Sequence, residues 1–394
     1  MNKQILNYLV IATVIVSVVF MSSCDSKDDK GNGKEDEVKP REFTVIFNSN
    51  GGSTINSQTV KDGEKATKPN NPTRNGFTFD AWYKEVALKN AWNFEKDIVK
   101  ANMTLYANWK PSNNSNIWTR KADFAGGNRH SAVGFSIGNK GYVGTGSPVS
   151  KEFWEYDPAS NSWTQKADFA GENRRDAVGF SIGNKGYIGL GAVSGYISRE
   201  FWEYDPVSNS WTQKANFSGS GITYSVGFSI GNKGYIAGTY SVGSNFWEYD
   251  PIINKWTKKA DYPQVGVGAV GFSIGNKGYI FSGSNNQYFW EYDPDLDSWT
   301  KKADFSGRGR INAVGFSIGN KGYVGTGIVS QGGGNGLGDF WEYDPVSDIW
   351  TQKAILPGRW RAIGFSIGNK GYVGTGEKIG DWSNPLQDFW EFTP

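Results

Sequence analysis

One nine-residue peptide occurs six times in the latter part of this 394-residue chain. The peptide is Gly-Phe-Ser-Ile-Gly-Asn-Lys-Gly-Tyr, and its copies begin at Gly134, Gly179, Gly227, Gly271, Gly315 and Gly364. The intervals are 45, 48, 44, 44 and 49 residues. Each copy is followed by Phe-Trp-Glu-Tyr or Phe-Trp-Glu-Phe, and all but the last by a Trp-Thr segment. A period of this length with four short β segments predicts the blades of a β-propeller.

The two ends of the repeat region indicate how the ring closes. A Trp-Thr segment at 117–122 has no blade in front of it, and the sixth copy ends at Pro394 with no such segment behind it. We therefore expect the first segment to supply the outer strand of the last blade. That pairing would protect sheet edges that are otherwise exposed.

The repeat also carries a family signature. The segment from Tyr156-Asp157-Pro158 to Trp163 resembles the Kelch repeat, in which a strand ends Tyr-Asp-Pro before a turn and a Trp. The usual Gly-Gly doublet is loosened here, for example to Gly144-Thr145-Gly146. The resemblance implies an all-β, six-bladed Kelch propeller over residues 117–394, with strands a to d running outwards in each blade.

A smaller aromatic module precedes the propeller at residues 42–110. The pieces are a Phe-Asn-Ser-Asn-Gly-Gly turn at 47–52, a Pro-Thr-Arg-Asn-Gly-Phe run at 72–77 and Thr-Leu-Tyr-Ala-Asn-Trp at 104–109. They resemble the internalin B-type, or Listeria–Bacteroides, repeat, which implies a small β-grasp-like unit found on bacterial surface proteins. Residues 111–116 are polar and predict a hinge.

The first 41 residues predict a signal peptide with a lipidation site, followed by a tether. Residues 1–23 have an apolar run that is short for a membrane span and typical of a signal peptide. The only cysteine, Cys24, follows two serines, which resembles a bacterial lipobox and implies lipidation of Cys24. Residues 24–41 are charged and predict a flexible tether. Acidic residues directly behind the cysteine resemble a surface-export signal, so we expect a lipid anchor on the outer membrane, exposed at the surface.

Composition excludes several classes of function. One cysteine and one histidine, His130, cannot build a multi-histidine copper or zinc site or a thiolate site. The net charge of +2 argues against a nucleic-acid partner. We find no phosphate loop and no nucleophile–base pair in the sequence. We therefore expect no cofactor and no metal, and a monomeric chain.

The loops differ strongly between the six copies on one side of the propeller only. The a–b turn is identical in all copies, whereas the d–a and b–c loops vary in length and sequence. We call this side the variable rim and expect ligands to bind there. Candidate residues on it are Arg129, Arg174, Arg310, Arg359, Arg361, Trp360, Trp382 and Tyr224. Guanidinium groups suit carboxylate, sulfate or phosphate, and the aromatic rings suit a sugar or a peptide.

Two functions remain open. The first is a non-catalytic binding or adhesion module on the cell surface, which recognises a glycan or an extracellular protein that could be anionic. The second is a carbohydrate-active Kelch enzyme, similar to a sialate mutarotase, that would use arginines and a carboxylate of the variable rim. Asp176 is the one inner-strand acid available for that role. We expect the binding module, and the alternative that the arginines pack within the blades stays open.

Overall fold

The computed structural model describes residues 40–74, 77–111, 116–238, 245–264, 266, 268–281, 283, 286–329, 336–378 and 385–394. Two of the predicted functional residues, Cys24 and Trp382, lie outside them. Every regular element in the described part of the chain is a β-strand. The expected all-β class is therefore confirmed.

The aromatic module forms one mixed sheet. Its strands are β1 (Glu42–Asn48), β2 (Gln58–Lys61), β3 (Phe77–Tyr83) and β4 (Met103–Pro111). The order is β2-β1-β4-β3, with β1 and β4 parallel at the centre, as in a β-grasp sheet. Trp82 is only 2% exposed and contacts Phe47 with ring centroids 5.0 Å apart. Its aromatic side chains form the core of this sheet.

Six further four-stranded sheets follow, which we call blades one to six. The chain first forms β5 (Ile117–Lys121). Blade one contains β6 (Val133–Ile137), β7 (Lys140–Gly144), β8 (Phe153–Asp157) and β9 (Ser162–Gln165). Blade two contains β10 (Val178–Ile182), β11 (Lys185–Gly189), β14 (Phe201–Asp205) and β15 (Ser210–Gln213), with a small hairpin of β12 (Ala192–Val193) and β13 (Tyr196–Ile197) inserted.

The remaining blades repeat the pattern. Blade three contains β16 (Val226–Ile230), β17 (Lys233–Ala237), β18 (Phe246–Asp250) and β19 (Lys255–Lys259). Blade four contains β20 (Val270–Ile274), β21 (Lys277–Phe281), β22 (Phe289–Asp293) and β23 (Ser298–Lys301). Blade five contains β24 (Val314–Ile318), β25 (Lys321–Gly325), β26 (Phe340–Asp344) and β27 (Ile349–Lys353). Blade six contains β28 (Ile363–Ile367), β29 (Lys370–Gly374), β30 (Phe389–Thr393) and the early strand β5.

The inner strands close into a ring. The first strand of each blade contacts the first strand of the next, and β28 of blade six contacts β6 of blade one. Strand β5 pairs with β30 in antiparallel register, with Trp118 opposite Phe392. The β-propeller closed by an N-terminal strand is therefore what the structure contains.

The repeated peptide explains the close packing between blades. In strand β6 the buried residues alternate with half-buried ones, because Val133, Phe135 and Ile137 face the interior. A Cβ atom added to Gly186 of the next blade would lie 2.5 Å from the ring of Phe135. Glycine is needed at this position because the ring packs directly against the backbone.

A clamp made by an asparagine, or in two blades by an aspartate, joins each blade to its neighbour. Asn161 has a φ of 52°, and its side-chain oxygen accepts hydrogen bonds from Tyr156 at 2.8 Å and from the backbone N–H of Ala122 at 3.0 Å. Asn116 accepts in the same way from the N–H of Ala354 at 2.7 Å, which fastens β5 to blade five. The ring is thus closed by packing and by hydrogen bonds.

A glutamate in strand c and a lysine at the end of strand d recur in every blade. In five sheets the two side chains form an ion pair, as between Lys353 and Glu342 at 3.0 Å. Blade three is the exception, because Lys259 contacts Asp297 instead. The glutamates are also hydrogen-bonded by strand b tyrosines, as Glu155 is by Tyr142 at 2.6 Å.

Candidate functional site

The four arginines expected at the channel mouth lie inside the blades. All four are buried: Arg129 is 4% exposed, and Arg174, Arg310 and Arg359 are 0% exposed. Arg310 donates two hydrogen bonds of 2.7 Å to the carboxylate of Asp339 and one of 3.0 Å to the carbonyl of Thr326. Arg359 pairs with Asp388 in the same way, whereas Arg129 and Arg174 each donate one hydrogen bond to their acid, Glu152 and Glu200 respectively.

The structure therefore corrects the prediction of a ligand-binding arginine ring. Each guanidinium is buried and neutralised by a carboxylate of its own blade, so its donors serve the fold. Burial raises the pKa of Asp339 and Asp388, but the hydrogen bonds and charge of their arginines outweigh burial and hold both pKa values below the usual range.

The sequence contains a signal for this pairing that we missed. Each of the four acids stands directly before the Phe-Trp-Glu segment of its blade. Blades three and four lack the arginine, with Ile222 and Gly266 at that position, and they also lack the acid, with Asn245 and Tyr288. Arginine and acid are thus present together or absent together, as expected for partners.

Six other residues do meet at the mouth of the channel. They occupy one equivalent position per blade, just before the inner strand, and we call them the mouth ring: Ser131, Asp176, Tyr224, Gly268, Asn312 and Arg361. All six have a left-handed φ between 52° and 62°. Backbone hydrogen bonds join neighbouring members, as from the N–H of Asp176 to the carbonyl of Ser131 at 3.1 Å. The ring closure thus holds six different side chains around one opening.

The mouth ring encloses a cavity of about 160 Å³. Beneath it the channel has a further volume of about 190 Å³, lined by the small and apolar starts of the six inner strands, such as Ala132, Val133 and Gly134. The charged and the larger polar side chains are therefore concentrated at the mouth. Among the residues predicted to bind ligand, Tyr224 and Arg361 line this cavity.

Arg361 is the cation of the mouth. Its guanidinium lies 4.1 Å from the ring centroid of Trp360, and its Nη2 lies 3.4 Å from the hydroxyl of Tyr224. Trp360 is only 4% exposed, so it supports Arg361 from below and offers no open face to a ligand. The predicted stacking role of Trp360 is therefore corrected. Asp176 lies in the same cavity, with its carboxylate 3.6 Å from Arg175.

Beside the ring, the single histidine contacts a buried acid. His130 Nε2 lies 2.9 Å from Oε1 of Glu377, and its Nδ1 lies 3.2 Å from Oγ of Ser131. Burial, together with the nearby charges of Arg361 and Arg175, lowers the pKa of His130 to about 4. Burial also raises the pKa of Glu377, which is 2% exposed.

Two backbone bridges place this histidine and this acid. His130 pairs with Ser147, and Trp360 pairs with Glu377, through hydrogen bonds of 2.8 to 3.2 Å. Glu377 lies in the b–c loop of blade six, one of the loops that vary between the copies, and the sequence pointed to no nucleophile–base pair there. The signal that pointed here was the position of the only histidine, one residue before the mouth ring.

A further aromatic residue stands on the variable rim. The hairpin of β12 and β13 raises Tyr196, which is 50% exposed, and the Tyr196 hydroxyl donates a 2.9 Å hydrogen bond to Glu172. The hairpin is joined to the d–a loop by a bridge between Arg175 and Ala192. Tyr196 therefore presents the flat surface that we expected from Trp360.

The described residues contain neither a group of metal ligands nor a membrane-spanning helix. In the described ranges no three side chains of His, Cys, Asp or Glu are grouped so as to hold a metal ion. No helix in those ranges has the length and apolar character that crossing a bilayer requires.

Comparisons with known proteins bear on both parts of the chain. Two relatives come from Evansella cellulosilytica, named "Putative Gly-rich membrane protein" and "Putative membrane protein". They are 37% identical over 92 residues and 40% identical over 72 residues, which is 23% and 18% of this chain. The chain spans only 10% and 11% of the length of these relatives.

A solved structure, titled "Structure of YjhT", resembles the chain with a TM-score of 0.58. The sequences are 18% identical, and the match covers 68% of this chain and 96% of the other. At this identity the likeness concerns the fold alone, and it supports the β-propeller. Residues 43–108 match the family described as the Listeria-Bacteroides repeat domain, so this part of the chain carries such a domain.

Proposed function

We propose that this protein is a surface lipoprotein whose six-bladed, Kelch-type propeller binds a glycan or an extracellular protein at the mouth ring. One observation carries the proposal. Strands that are nearly identical in all six blades are preceded by six different residues, and these six residues surround a single cavity. Divergence concentrated on one rim of an otherwise uniform ring is typical of a binding site on a scaffold.

The chemistry of the mouth ring favours a polar ligand of small cross-section. Arg361 supplies a cation, Asp176 a carboxylate, Tyr224 and Ser131 hydroxyl groups, and Asn312 an amide. Such a mixture can donate to and accept from the hydroxyl groups of a sugar or the polar groups of a peptide. The cavity of about 160 Å³ limits the inserted part to about one sugar unit or one side chain. A larger ligand would extend over the loops beside Tyr196.

Binding to glycan and protein panels tests this role. We would compare detergent-solubilised wild-type protein with Arg361→Ala and with Arg120→Ala, a matched control on an outer strand whose side chain is 54% exposed. We expect Arg361→Ala to weaken binding at least tenfold, because it removes the cation of the mouth, and Arg120→Ala to bind as the wild type. Equal binding by all three proteins would contradict a site at the mouth ring.

The anchor is a separate part of the proposal. Residues 1–23 would be removed as a signal peptide, Cys24 would carry the lipid, and residues 24–41 would form the tether. Two or three acyl chains hold a protein stably on a membrane. Metabolic labelling with an alkyne fatty acid should mark the wild type and not Cys24→Ser. Protease treatment of intact cells should then release the propeller if it faces outwards.

A second function is a carbohydrate-active enzyme that uses the same cavity. The observation in its favour is that Asp176, Tyr224 and Arg361 line one small opening, where an acid, a phenol and a cation could act on one sugar. A mutarotase-like activity would speed the exchange of sugar anomers, which nuclear magnetic resonance measures directly. Asp176→Asn should abolish that effect while glycan binding persists. An exchange rate that is the same with and without the protein would exclude this function.

A further inference from the structure

Ser131, His130 and Glu377 form a continuous hydrogen-bonded chain that ends in the mouth cavity. The distances are 3.2 Å from Ser131 Oγ to His130 Nδ1 and 2.9 Å from His130 Nε2 to Glu377 Oε1. Hydroxyl, imidazole and carboxylate in this order are the parts of an activated serine nucleophile. We infer that Ser131 is such a nucleophile and that the mouth cavity hydrolyses small acyl esters, for example an O-acetyl group on a bound sugar.

The imidazole has the geometry of a general base. For Nδ1 to accept the proton of Ser131, the other ring nitrogen must carry its hydrogen, and Nε2–H then donates to Glu377. Glu377 is held in place by the backbone bridge to Trp360 and is only 2% exposed. Burial and the charges of Arg361 and Arg175 also favour the neutral ring, since they lower the pKa of His130 to about 4.

The surrounding groups can receive the substrate. Ser131 is 8% exposed and lines the cavity of about 160 Å³, a space of the size of an acetyl group with part of a sugar. Arg361 lines the same cavity. A guanidinium N–H beside the nucleophile can stabilise the oxyanion that forms on the ester carbonyl.

The reaction balances without a cofactor. Ser131 Oγ attacks the acyl carbon, and its proton passes to His130 Nδ1. The tetrahedral intermediate collapses, the bond to the alcohol oxygen breaks, and His130 returns the proton to that oxygen. Water then attacks the acyl-serine and gives a proton to His130, the bond between the acyl carbon and Ser131 Oγ breaks, and His130 passes that proton to Ser131 Oγ, which releases a carboxylic acid and restores the free enzyme. The inference rests on the ligand cavity of the proposed function and adds turnover to it.

The left-handed backbone at Ser131 does not by itself indicate a nucleophile, since all six members of the mouth ring share it. The shared backbone conformation does indicate which substitution position 131 should tolerate. Gly268 occupies the equivalent position in blade four, so Ser131→Gly removes the hydroxyl and keeps a residue suited to this φ. Ser160→Ala is the matched control, because Ser160 is an exposed serine in the turn between strands c and d of blade one, does not line the cavity and has no histidine beside it.

The test uses two probes on the full-length protein in detergent. A fluorophosphonate should add one phosphonyl group to the wild type and to Ser160→Ala, with loss of fluoride and a proton, and none to Ser131→Gly. Hydrolysis of p-nitrophenyl acetate should follow the same pattern. His130→Gln should slow both reactions about 10²-fold or more. Thermal unfolding of each variant verifies that it is folded.

Glu377 is a positioning residue, and a pH profile separates that role from a purely structural one. The charged groups that face His130 are Glu377, Arg175 and Arg361. Glu377→Gln removes the anion among them, so the ascending limb of the labelling rate should move to lower pH and the plateau should fall at least about tenfold. An unchanged profile would remove Glu377 from the inference.

The remaining outcomes are decisive. Equal labelling of wild type and Ser131→Gly, or labelling that does not depend on His130, overturns the inference. The glycan panel run on the same samples separates this failure from that of the proposed function. Ligand binding without labelling would leave the proposed function standing alone, whereas labelling without ligand binding would leave only the esterase.

Discussion

Replacing Arg310 with isoleucine removes a guanidinium that is completely buried in blade five. Arg310 donates to Asp339 at 2.7 Å twice, and to the carbonyls of Arg308 and Thr326 at 3.0 Å. In the variant the Asp339 carboxylate keeps the 2.8 Å hydrogen bond from the indole of Trp341, but its charge is no longer neutralised. Breaking a buried ion pair from one side costs about 3–5 kcal/mol of folding free energy.

We expect the lower end of that range, about 3 kcal/mol, because the side chain of Asp339 is 22% exposed and water can reach it. Blade three shows how the same fold manages without the pair, since it has Ile222 and Asn245 at these positions. The double variant Arg310→Ile with Asp339→Asn copies that blade and should lose only about 1 kcal/mol. The coupling energy between the two positions is then about 2 kcal/mol or more.

Urea unfolding followed by tryptophan fluorescence measures the free energy of unfolding of the wild type, Arg310→Ile, Asp339→Asn and the double variant. These four proteins form a double-mutant cycle. The reasoning would be refuted if Arg310→Ile unfolded at the same urea concentration as the wild type, or if the double variant were as unstable as the single one. Loss of ligand binding in a fully stable Arg310→Ile protein would restore the arginine to the binding site. Binding by the double variant should instead equal that of the wild type.

The same pair predicts a dependence on pH. The folded pKa of Asp339 is below its ordinary value of 3.8. A carboxylate of this kind stabilises the fold fully above its unfolded pKa, and the contribution is lost as the pH falls through the folded pKa. Between pH 5 and pH 2 the double variant should therefore lose less stability than the wild type. Parallel stability curves over this interval would count against the ion pair.

Three further changes test the closure and packing of the ring. Trp118→Ala should cost about 3 kcal/mol of folding free energy, because the ring centroids of Trp118 and Phe392 lie 4.9 Å apart where β5 closes blade six. Trp118→Phe should cost less, and urea unfolding measures both variants. Gly186→Ala should cost about 1–3 kcal/mol of folding free energy, because the new methyl group would clash with the ring of Phe135. A lowered melting temperature would show this cost, whereas an unchanged melting temperature would contradict the close packing. Asn161→Ala removes one clamp and should cost about 1–2 kcal/mol, while Asn161→Asp, the residue type that two other blades carry, should cost less by the same measurement.

Much of the architecture follows from local sequence. A strand such as β6 alternates buried and half-buried residues, and Gly-Asn-Lys-Gly turns occur between strands a and b in every copy, so the repeat predicts the blades directly. The Trp-Thr segment at 117–121 predicts the closing strand, because it has no blade of its own and the last blade lacks an outer strand. Pairing the two completes the last blade. The aromatic module was predictable for the same reason, since its turns and its Trp and Phe positions are local.

The candidate site was predicted only in part. Alignment of the six copies placed Ser131, Asp176, Tyr224 and Arg361 at equivalent positions, and the structure brings them to one cavity. The same alignment shows that arginine and acid are present together or absent together, but only the structure shows that Arg310 turns inwards to the acid 29 residues away, since the direction of a long side chain depends on its partners in space.

Tertiary structure alone decided the chemistry of the mouth. His130 and Glu377 are separated by most of the propeller in the sequence, and closure of the ring brings blade six beside blade one, which places them 2.9 Å apart. The repeats determined the ring because each blade is specified by local alternation and turns. The contact across the closing point depends on where the ring ends meet, and no local pattern in the sequence contains that information.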